Sequence, residues 1–302
     1  MSREDDVQSA DSRIQQRLAE IKLTRRVRWV MYAIGFIIFV AAFWGSLRLV
    51  EFSFANLYDR FPIFLDTLSA YWPNWSFIIE RNLLREAGIT LAVGFAGTVI
   101  GLPAALLFGV LGSGRVTPFP FNFLFRSVMG VFRAIPSLVW ALVFVPWTGL
   151  TPVTGVIAVT VSTLGNLGRL FTDELEEVKD GPIEAMETTG ASKPQIVVFG
   201  MLSQVKTSFI AWTLYIFEVN VRTAVTLGLI GVGGIGEVIE VQQGLRAFGN
   251  MMAGIVVVLV LIIAVEFISQ RTRSYLRAED EADGLIALIL GFPERMARSA
   301  LK

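Results

Sequence analysis

The chain has 302 residues, of which 54% are hydrophobic and 17% are charged, and its 26 basic and 26 acidic side chains give a formal net charge of zero. So few charged residues leave too little polar surface to solvate a compact globule of this size, which indicates a membrane protein. Cysteine and histidine are both absent, which excludes disulfides, zinc and haem sites built on these residues, and nucleophiles of the Ser-His or Cys-His type.

Apolar runs recur along the chain, and each is roughly long enough to cross about 30 Å of hydrocarbon as a helix. In chain order, the predicted spans are residues 29–47, 87–111, 128–147, 150–167, 208–235 and 251–269. The first run is predicted to be an uncleaved helix rather than a signal peptide, because it is too long and a long charged segment precedes it. The predicted fold class is an all-α membrane protein, a polytopic bundle of about six transmembrane helices.

Lysine and arginine residues near the ends of the spans predict the orientation, because they are enriched on the cytoplasmic side. They cluster before the first span and after the last: Arg17, Lys22, Arg25, Arg26, Arg28, Arg271, Arg273 and Arg277. We therefore expect both termini in the cytoplasm. An even number of spans agrees with this orientation and also places the polar loop around Glu184 in the cytoplasm.

Composition divides the chain into three predicted parts. Residues 1–80 hold a charged tail on the membrane face, the first span and an external segment whose aromatic residues suit the lipid headgroup region. Interfacial packing explains these aromatic residues, and a binding role is the alternative. Residues 81–270 form the core, with a cytoplasmic loop at about 170–206. Residues 271–302 form a cytoplasmic tail whose apolar run after Leu285 is too short to span the membrane.

The polar stretch at residues 184–203 separates two long apolar segments. It opens with a helical run, breaks at Gly190 and resumes after Pro194. A loop that only reverses the chain needs fewer residues, so this one is predicted to touch something outside the bilayer.

This loop resembles the "EAA" loop of permease subunits of bacterial ABC importers. The residues that match the pattern are Glu184, Ala185, Gly190 and Leu202. Met186 stands where the family often has a second alanine, and Ser203 stands where it often has proline.

Two further segments narrow the resemblance to the phosphonate importer permease subfamily. They are residues 133–142 (RAIPSLVWAL) and 217–236 (FEVNVRTAVTLGLIGVGGIG), with the loop at 181–192 (GPIEAMETTGAS) between them. The resemblance implies the type I permease fold in the bacterial cytoplasmic membrane and phosphonate or a related phosphorus oxyanion as cargo. It also implies two cytoplasmic ATPase subunits, a second permease subunit, an extracytoplasmic solute-binding protein and membrane lipid as partners, and no nucleic acid.

The same resemblance implies which residues couple the permease to its ATPase: Glu184, Ala185, Gly190, Ala191 and Leu202. A short helix over about 182–189, ending at Gly190, would sit in a groove of the ATPase, because small residues allow close approach and Glu184 can bond donors there. The alternative is that Gly190 only ends a helix and Glu184 is a solvated charge.

Charged residues inside the spans are candidates for function, because a charge in hydrocarbon is costly unless it is paired or faces water. Glu218 and Arg222 share one helix face of the fifth span, with Asn220 nearby. They either form a self-satisfied ion pair or line the translocation pathway, where Arg222 meets an anionic solute or helps a gate. Arg133 either faces a cytoplasmic cavity or anchors its helix. Glu266 in the sixth span has no partner that the sequence identifies.

The run Gly231–Gly236 fits the G-x-G-x-x-G nucleotide fingerprint. That fingerprint requires a preceding strand and a following amphipathic helix in a soluble βαβ unit, and neither is predicted here. Small residues at the end of a span instead permit close helix approach or a bend. The sequence also lacks a P-loop, so we expect no cofactor on this chain, no enzymatic activity, and ATP hydrolysis on separate subunits.

Three alternatives remain open at this point. The first is a permease for methionine or another small organic solute. The second is an ion-coupled secondary transporter, in which Glu218, Arg222 and Glu266 are the coupling groups. The third is a membrane scaffold that transports nothing.

Overall fold

A computed structural model describes residues 28–279 of the chain, with side chains described up to residue 276. Residues 1–27 and 280–302 lie outside this part, and with them the predicted surface tail and the apolar run after Leu285. The described residues fall into two compact units, which divide in the sequence between Thr67 and Leu68.

The first unit contains a long apolar helix, α1 (Arg28–Leu49), and most of a second helix, α2 (Phe54–Leu68). In the order of the chain, the second unit continues with a 3₁₀ turn (Ser69–Tyr71), α3 (Trp75–Glu80), α4 (Leu83–Gly112), α5 (Phe121–Ala134), α6 (Ser137–Thr148), α7 (Pro152–Glu176), α8 (Asp180–Thr188), α9 (Lys193–Gln195), a π-helical segment (Ile196–Met201), α10 (Leu202–Gly228), α11 (Ile235–Gly244) and α12 (Phe248–Glu279).

Within residues 28–279, five helices are long and apolar enough to cross a membrane. They are α1, α4, α7, the continuous helix Lys193–Gly228 made of α9, the π-helical segment and α10, and the part Phe248–Leu276 of α12. The number rises to six only if α5 and α6, which are bent by 88° against each other, count as one span.

The predicted span over residues 128–147 is thus not one continuous helix, because it covers the end of α5 and most of α6 with the bend between them. Ile135, between α5 and α6, has an extended backbone with φ −94° and ψ 120°. The residue before a proline is disfavoured in the helical region, because the proline ring clashes with its backbone, and Pro136 follows. The chain bends there although its apolar character continues.

Three other predicted spans have different ends in the structure. Helix α7 continues to Glu176, the fifth span begins at Lys193 and ends at Gly228, and α12 runs from Phe248 to Glu279. Each of these helices carries polar turns beyond its apolar run, and a prediction from hydropathy sees the apolar run alone.

Close approach of α4 and α7 forms the centre of the second unit. A Cβ atom added at Gly101 of α4 would lie 2.8 Å from Cβ of Thr163, and one added at Gly109 would lie 2.7 Å from Cβ of Phe171. Thr172 Oγ1 donates to the Gly109 carbonyl oxygen across the two helices at 3.0 Å. Small residues and interhelical hydrogen bonds of this kind associate helices in lipid, where the hydrophobic effect does not.

The glycine-rich run between α10 and α11 forms a tight turn. Gly231, Gly233 and Gly234 have positive φ angles of 86°, 106° and 75°, which side chains other than glycine rarely adopt. The Ile235 amide then donates to Thr90 Oγ1 at 3.0 Å, which fixes the start of α11 against α4. The run therefore joins two helices, and no strand precedes it within the described residues.

A leucine at Gly101 is expected to separate α4 from α7 and to destabilise the chain by about 1–3 kcal/mol or more, as overpacking of a tight contact does. Gly88 on the same helix is the matched control, because a Cβ atom there would meet nothing within 4 Å. Thermal unfolding of the detergent-purified Gly101→Leu and Gly88→Leu variants measures the difference. Equal melting temperatures for the two variants would contradict this account of the packing.

Candidate functional site

Helix α8 ends as the sequence predicts. Gly190 has a φ of +78°, its amide donates to the Glu187 carbonyl oxygen at 3.0 Å, and the Ala191 amide donates to the Met186 carbonyl oxygen at 3.1 Å. These two bonds form a Schellman motif, which satisfies the last carbonyl groups of a helix and favours glycine at the left-handed position. The expected short helix with a stop at Gly190 is confirmed.

The two faces of α8 have different surroundings. Ile183 packs against a buried apolar cluster that includes Val178 and Met201. Met186, one turn later, lies so close to the π-helical segment that a Cβ atom at Gly200 would be 3.1 Å from its sulfur. This inner face attaches α8 to the body of the protein, because residues three apart in a helix lie on one side.

The opposite face of α8 is exposed within the chain. It carries Glu184, Ala185 and Glu187, which are all exposed. Ala191 is half-buried beyond the helix stop. Leu202, the remaining residue of the matched pattern, begins α10 and packs against the inner apolar cluster, so it lies on the inner side rather than on the exposed face.

Gln204 attaches the start of α8 to α10. The Lys179 amide donates to Gln204 Oε1 at 3.2 Å, and Gln204 Nε2 donates to the carbonyl oxygens of Lys179 at 3.3 Å and Gly200 at 2.7 Å. One side chain thus satisfies both backbone groups of the residue before α8. Gln204 was not predicted from the sequence, because a polar residue in a polar stretch gives no periodic signal.

A second polar cluster fixes the same end of the loop to α4 and α5. Arg115 donates to Asp180 Oδ1 at 2.5 Å and to the Glu176 carbonyl oxygen at 3.0 Å. Arg126 forms an ion pair with Glu176 and donates to the Gly112 carbonyl oxygen at 2.7 Å. Together with Gln204 on α10, Arg115 thus holds the start of α8, and Arg126 on α5 fixes the end of α7 that precedes it. Neither arginine was predicted from the sequence to have this role.

Glu218 and Arg222 form the intrahelical pair that their spacing predicts, with Glu218 Oε1 2.5 Å from Arg222 Nη2. The pair is part of a larger cluster. Glu218 Oε2 lies 3.4 Å from Nη2 of Arg273, and Arg222 Nη2 lies 3.5 Å from Oε2 of Glu266. Glu266 thus has a partner that the sequence did not identify. Arg273 was assigned to the tail, but α12 continues through it.

The other two predicted pathway residues lie in different surroundings. Asn220 is 3% exposed, and its Nδ2 donates to Thr98 Oγ1 at 2.9 Å and to Thr163 Oγ1 at 2.8 Å, between α4, α7 and α10. Arg133 is exposed in the last turn of α5 and forms no ion pair in the described part of the chain. The structure therefore joins Glu218 with Arg222 but places Asn220 in the packed interior.

A cleft of about 300 Å³ lies between α7, α10 and α12. Gln204 and Arg273 both border it, so the cleft adjoins the attachment of α8 as well as the charge cluster. On its wall, Trp212 Nε1 donates to Glu174 Oε1 at 2.7 Å. The described residues contain no group of acidic side chains that could hold a metal ion.

Residues 97–274 match the family described as "Binding-protein-dependent transport system inner membrane component". The matched region runs from α4 through α8 to the charge cluster, and it includes Arg273.

Three curated relatives have names that refer to phosphorus compounds. HtxC of Stutzerimonas stutzeri, named for phosphite transport, is 33% identical over 224 residues, which are 71% of this chain and 79% of that protein. The phosphate-import permease PhnE of Mycolicibacterium smegmatis is 33% identical over 198 residues, which are 65% of this chain and 37% of that protein. PhnE2 of Escherichia coli K12, named for cryptic phosphonate transport, is 36% identical over 120 residues, which are 39% of this chain and 98% of that protein.

Solved structures of permeases share the fold. A chain in the MetNI methionine ABC transporter superposes with a TM-score of 0.55 at 23% identity, and covers 66% of this chain and 96% of that one. A chain of an amino acid ABC transporter gives a TM-score of 0.57 at 15% identity, and covers 67% of this chain and 98% of that one. At these identities the likeness shows the fold alone, and it confirms the predicted all-helical type I permease fold.

Replacing Gln204 with alanine is expected to free the Lys179 backbone and to raise hydrogen–deuterium exchange in α8 while the membrane helices stay protected. Gln243→Ala is the matched control, because Gln243 is an exposed glutamine on α11. Mass spectrometry of peptides that cover residues 179–190 measures the exchange. Unchanged exchange in the Gln204 variant would show that the apolar face alone holds α8.

Proposed function

Because the chain belongs to the family of binding-protein-dependent transport system inner membrane components, we propose that it is the permease through which an ATP-driven importer moves phosphorus oxyanions. It is a multi-pass subunit of the inner membrane and a transporter rather than an enzyme, as its relatives named as permeases indicate. The observation that carries the proposal is α8, a short helix with a fixed inner face and an exposed outer face.

The partners follow from this assignment. An ATPase subunit binds the outer face of α8, where Ala185 leaves room for close contact and Glu184 offers a carboxylate to donors. Gly190 lets the chain turn at a φ of +78° and leaves no side chain at the joint, where a Cβ atom would point into space that is open to a partner. A second permease subunit, another ATPase, a solute-binding protein and surrounding lipid complete the assembly.

Movement of the ATPase reaches the membrane through the polar contacts of α8. When ATP binding displaces α8, Gln204 carries the displacement to α10, and Arg115 and Arg126 carry it to the ends of α4 and α5. Arg222 lies 18 residues beyond Gln204 in the same helix, which is about 27 Å along the axis at 1.5 Å per residue. A tilt of one continuous helix therefore reaches the charge cluster.

The charge cluster favours the assignment of an anionic solute. Phosphite, phosphate and phosphonate, named in the relatives, share negatively charged oxygens on phosphorus, and a guanidinium group such as that of Arg222 binds such oxygens in a planar fork. The methionine alternative has weaker support, because the likeness to the MetNI transporter shows the fold alone. Family membership also argues against the ion-coupled transporter and the scaffold, since the family is described as a binding-protein-dependent transport system.

The membrane topology and the division of the chain are also part of the proposal. Both termini and α8 lie in the cytoplasm, which the clusters of basic residues support. Residues 1–80 form the tail, the first span and the external segment, and residues 81–270 form the permease core with the coupling loop at about 170–206. Residues 271–302, of which the first part continues α12 through Arg273, form the cytoplasmic end of the chain.

Uptake in vesicles tests the proposed function. The chain, purified with its ATPase and binding protein and reconstituted in proteoliposomes, is expected to accumulate radiolabelled phosphite or methylphosphonate only when ATP is present on the ATPase side. Methionine serves as the control solute. Equal uptake of methionine, or uptake driven by a proton or sodium gradient in place of ATP, would contradict the assignment.

Valine at Gly190 is expected to detach or uncouple the ATPase, because a branched residue at a φ of +78° strains the turn and adds bulk at the joint. Gly181→Val is the matched control on the same helix, where φ is not positive and a Cβ atom meets nothing within 4 Å. Pull-down of the ATPase and solute uptake measure the effect, and Glu184→Ala should weaken the same contact less. Normal binding and uptake in Gly190→Val would remove the coupling role of this loop.

A further inference from the structure

The two carboxylates that contact Arg222 hold it with unequal strength. Glu218 Oε1 lies 2.5 Å from Arg222 Nη2, whereas Glu266 Oε2 lies 3.5 Å from the same atom. The second separation is longer than a charge-assisted hydrogen bond. Arg222 is thus firmly bound on the α10 side and only loosely covered on the α12 side.

Glu218 is the fixed member of the cluster. Its side chain is 7% exposed, and its two oxygens are engaged separately, one by Arg222 and the other by Arg273. Removing a carboxylate that bridges two cations would leave uncompensated charge in a buried place, which is strongly destabilising. Glu218 therefore keeps Arg222 in position and is not available for exchange.

Glu266 is free to leave Arg222. Its side chain is 42% exposed, and its other oxygen accepts a hydrogen bond from Gln270 Nε2 at 2.9 Å, one turn along α12. The carboxylate therefore keeps a partner on its own helix when the contact with Arg222 breaks. Arg222 is also 43% exposed, but its short contact with Glu218 holds it in place.

We propose that the Glu266 carboxylate occupies the position beside Arg222 that the solute's oxyanion takes, and that the solute displaces it in passing. This inference rests on the proposed function, since it requires an anionic solute. With Glu266 in contact, the two glutamates of the cluster balance its two arginines, so the cluster carries no net charge. A phosphorus oxyanion replaces Glu266 as the partner of Arg222, while the exposed Glu266 carboxylate keeps the hydrogen bond that it already accepts from Gln270.

The arrangement limits affinity as well as selecting charge. An anion that must displace an internal carboxylate binds more weakly than it would bind to a free guanidinium group, and weak binding lets a transported solute leave. A cation is not favoured at this position, because the fixed group is Arg222 and the movable group is the carboxylate. Arg273 shares Glu218 with Arg222 and borders the adjoining cleft, so it is the next cation along that side.

Equilibrium binding of radiolabelled phosphite to the purified transporter complex without ATP or binding protein tests the inference. Glu266→Gln removes the competing charge and is expected to bind phosphite about fivefold more tightly than the wild type. Arg222→Gln is expected to abolish binding, also in combination with Glu266→Gln. Glu266→Asp, which keeps the charge, should stay near the wild type. Glu237→Gln on α11 is the control, because it removes an exposed carboxylate elsewhere.

Two measurements separate the possible failures. If Glu266→Gln binds phosphite no more tightly than the wild type, or Arg222→Gln binds it normally, the inference is overturned, while ATP-driven phosphite uptake by the wild type would keep the proposed function. If the wild-type complex takes up no phosphorus oxyanion, the proposed function fails by itself. Melting temperatures distinguish exchange from packing: Glu266→Gln should unfold near the wild-type temperature, and a large loss of stability would indicate a structural ion pair instead.

Discussion

One continuous helix, Lys193–Gly228, connects the features on which function depends. Its first turns receive α8 through Gly200 and Gln204, and its later turns carry Glu218 and Arg222. Hydrocarbon cannot solvate backbone groups, so a helix that satisfies its own hydrogen bonds is the available rigid element there. A displacement at one end of such a helix cannot be absorbed by an irregular loop, which makes the helix a suitable connection between the ATPase surface and the pathway.

The surroundings of this helix divide into a static and an exchangeable part. On one side, Asn220 is enclosed by Thr98 and Thr163, and its hydrogen bonds join three helices. Buried amide groups of this kind have few alternatives in lipid, so the contact with α4 and α7 is expected to stay intact. On the opposite side, Arg222 and Glu266 are both substantially exposed and meet at 3.5 Å. The same helix therefore has one face whose contacts are expected to stay intact and one face whose ion pair is expected to exchange.

Part of the fold and of the candidate site could be predicted from the sequence, and particular residues show why the remaining features could not. The apolar runs predicted α1 and α4 well, and the matched loop predicted both α8 and its stop at Gly190, because glycine chemistry is local. The bend at Ile135 was missed although Pro136 was visible, since apolar composition alone was taken to define a span. Arg273 was assigned to the tail for a related reason: basic residues after an apolar run were interpreted as anchors, whereas α12 continues for further turns and turns Arg273 towards Glu218.

The long-range contacts are the part that no periodicity reveals. Gln204 reaches the backbone of Lys179, which is 25 residues earlier, and Arg126 reaches Glu176 from a different helix. Local spacing predicts pairs such as Glu218 with Arg222, because residues four apart share a face, but a partner on another helix depends on how helices pack. The packing itself depends on small residues of α4, which leave room for Thr163 and Phe171 of α7. The sequence does not show that these residues face each other. Coupling in this chain thus arises where locally predictable elements, a short stopped helix and an ion pair, are joined by contacts that only the fold brings together.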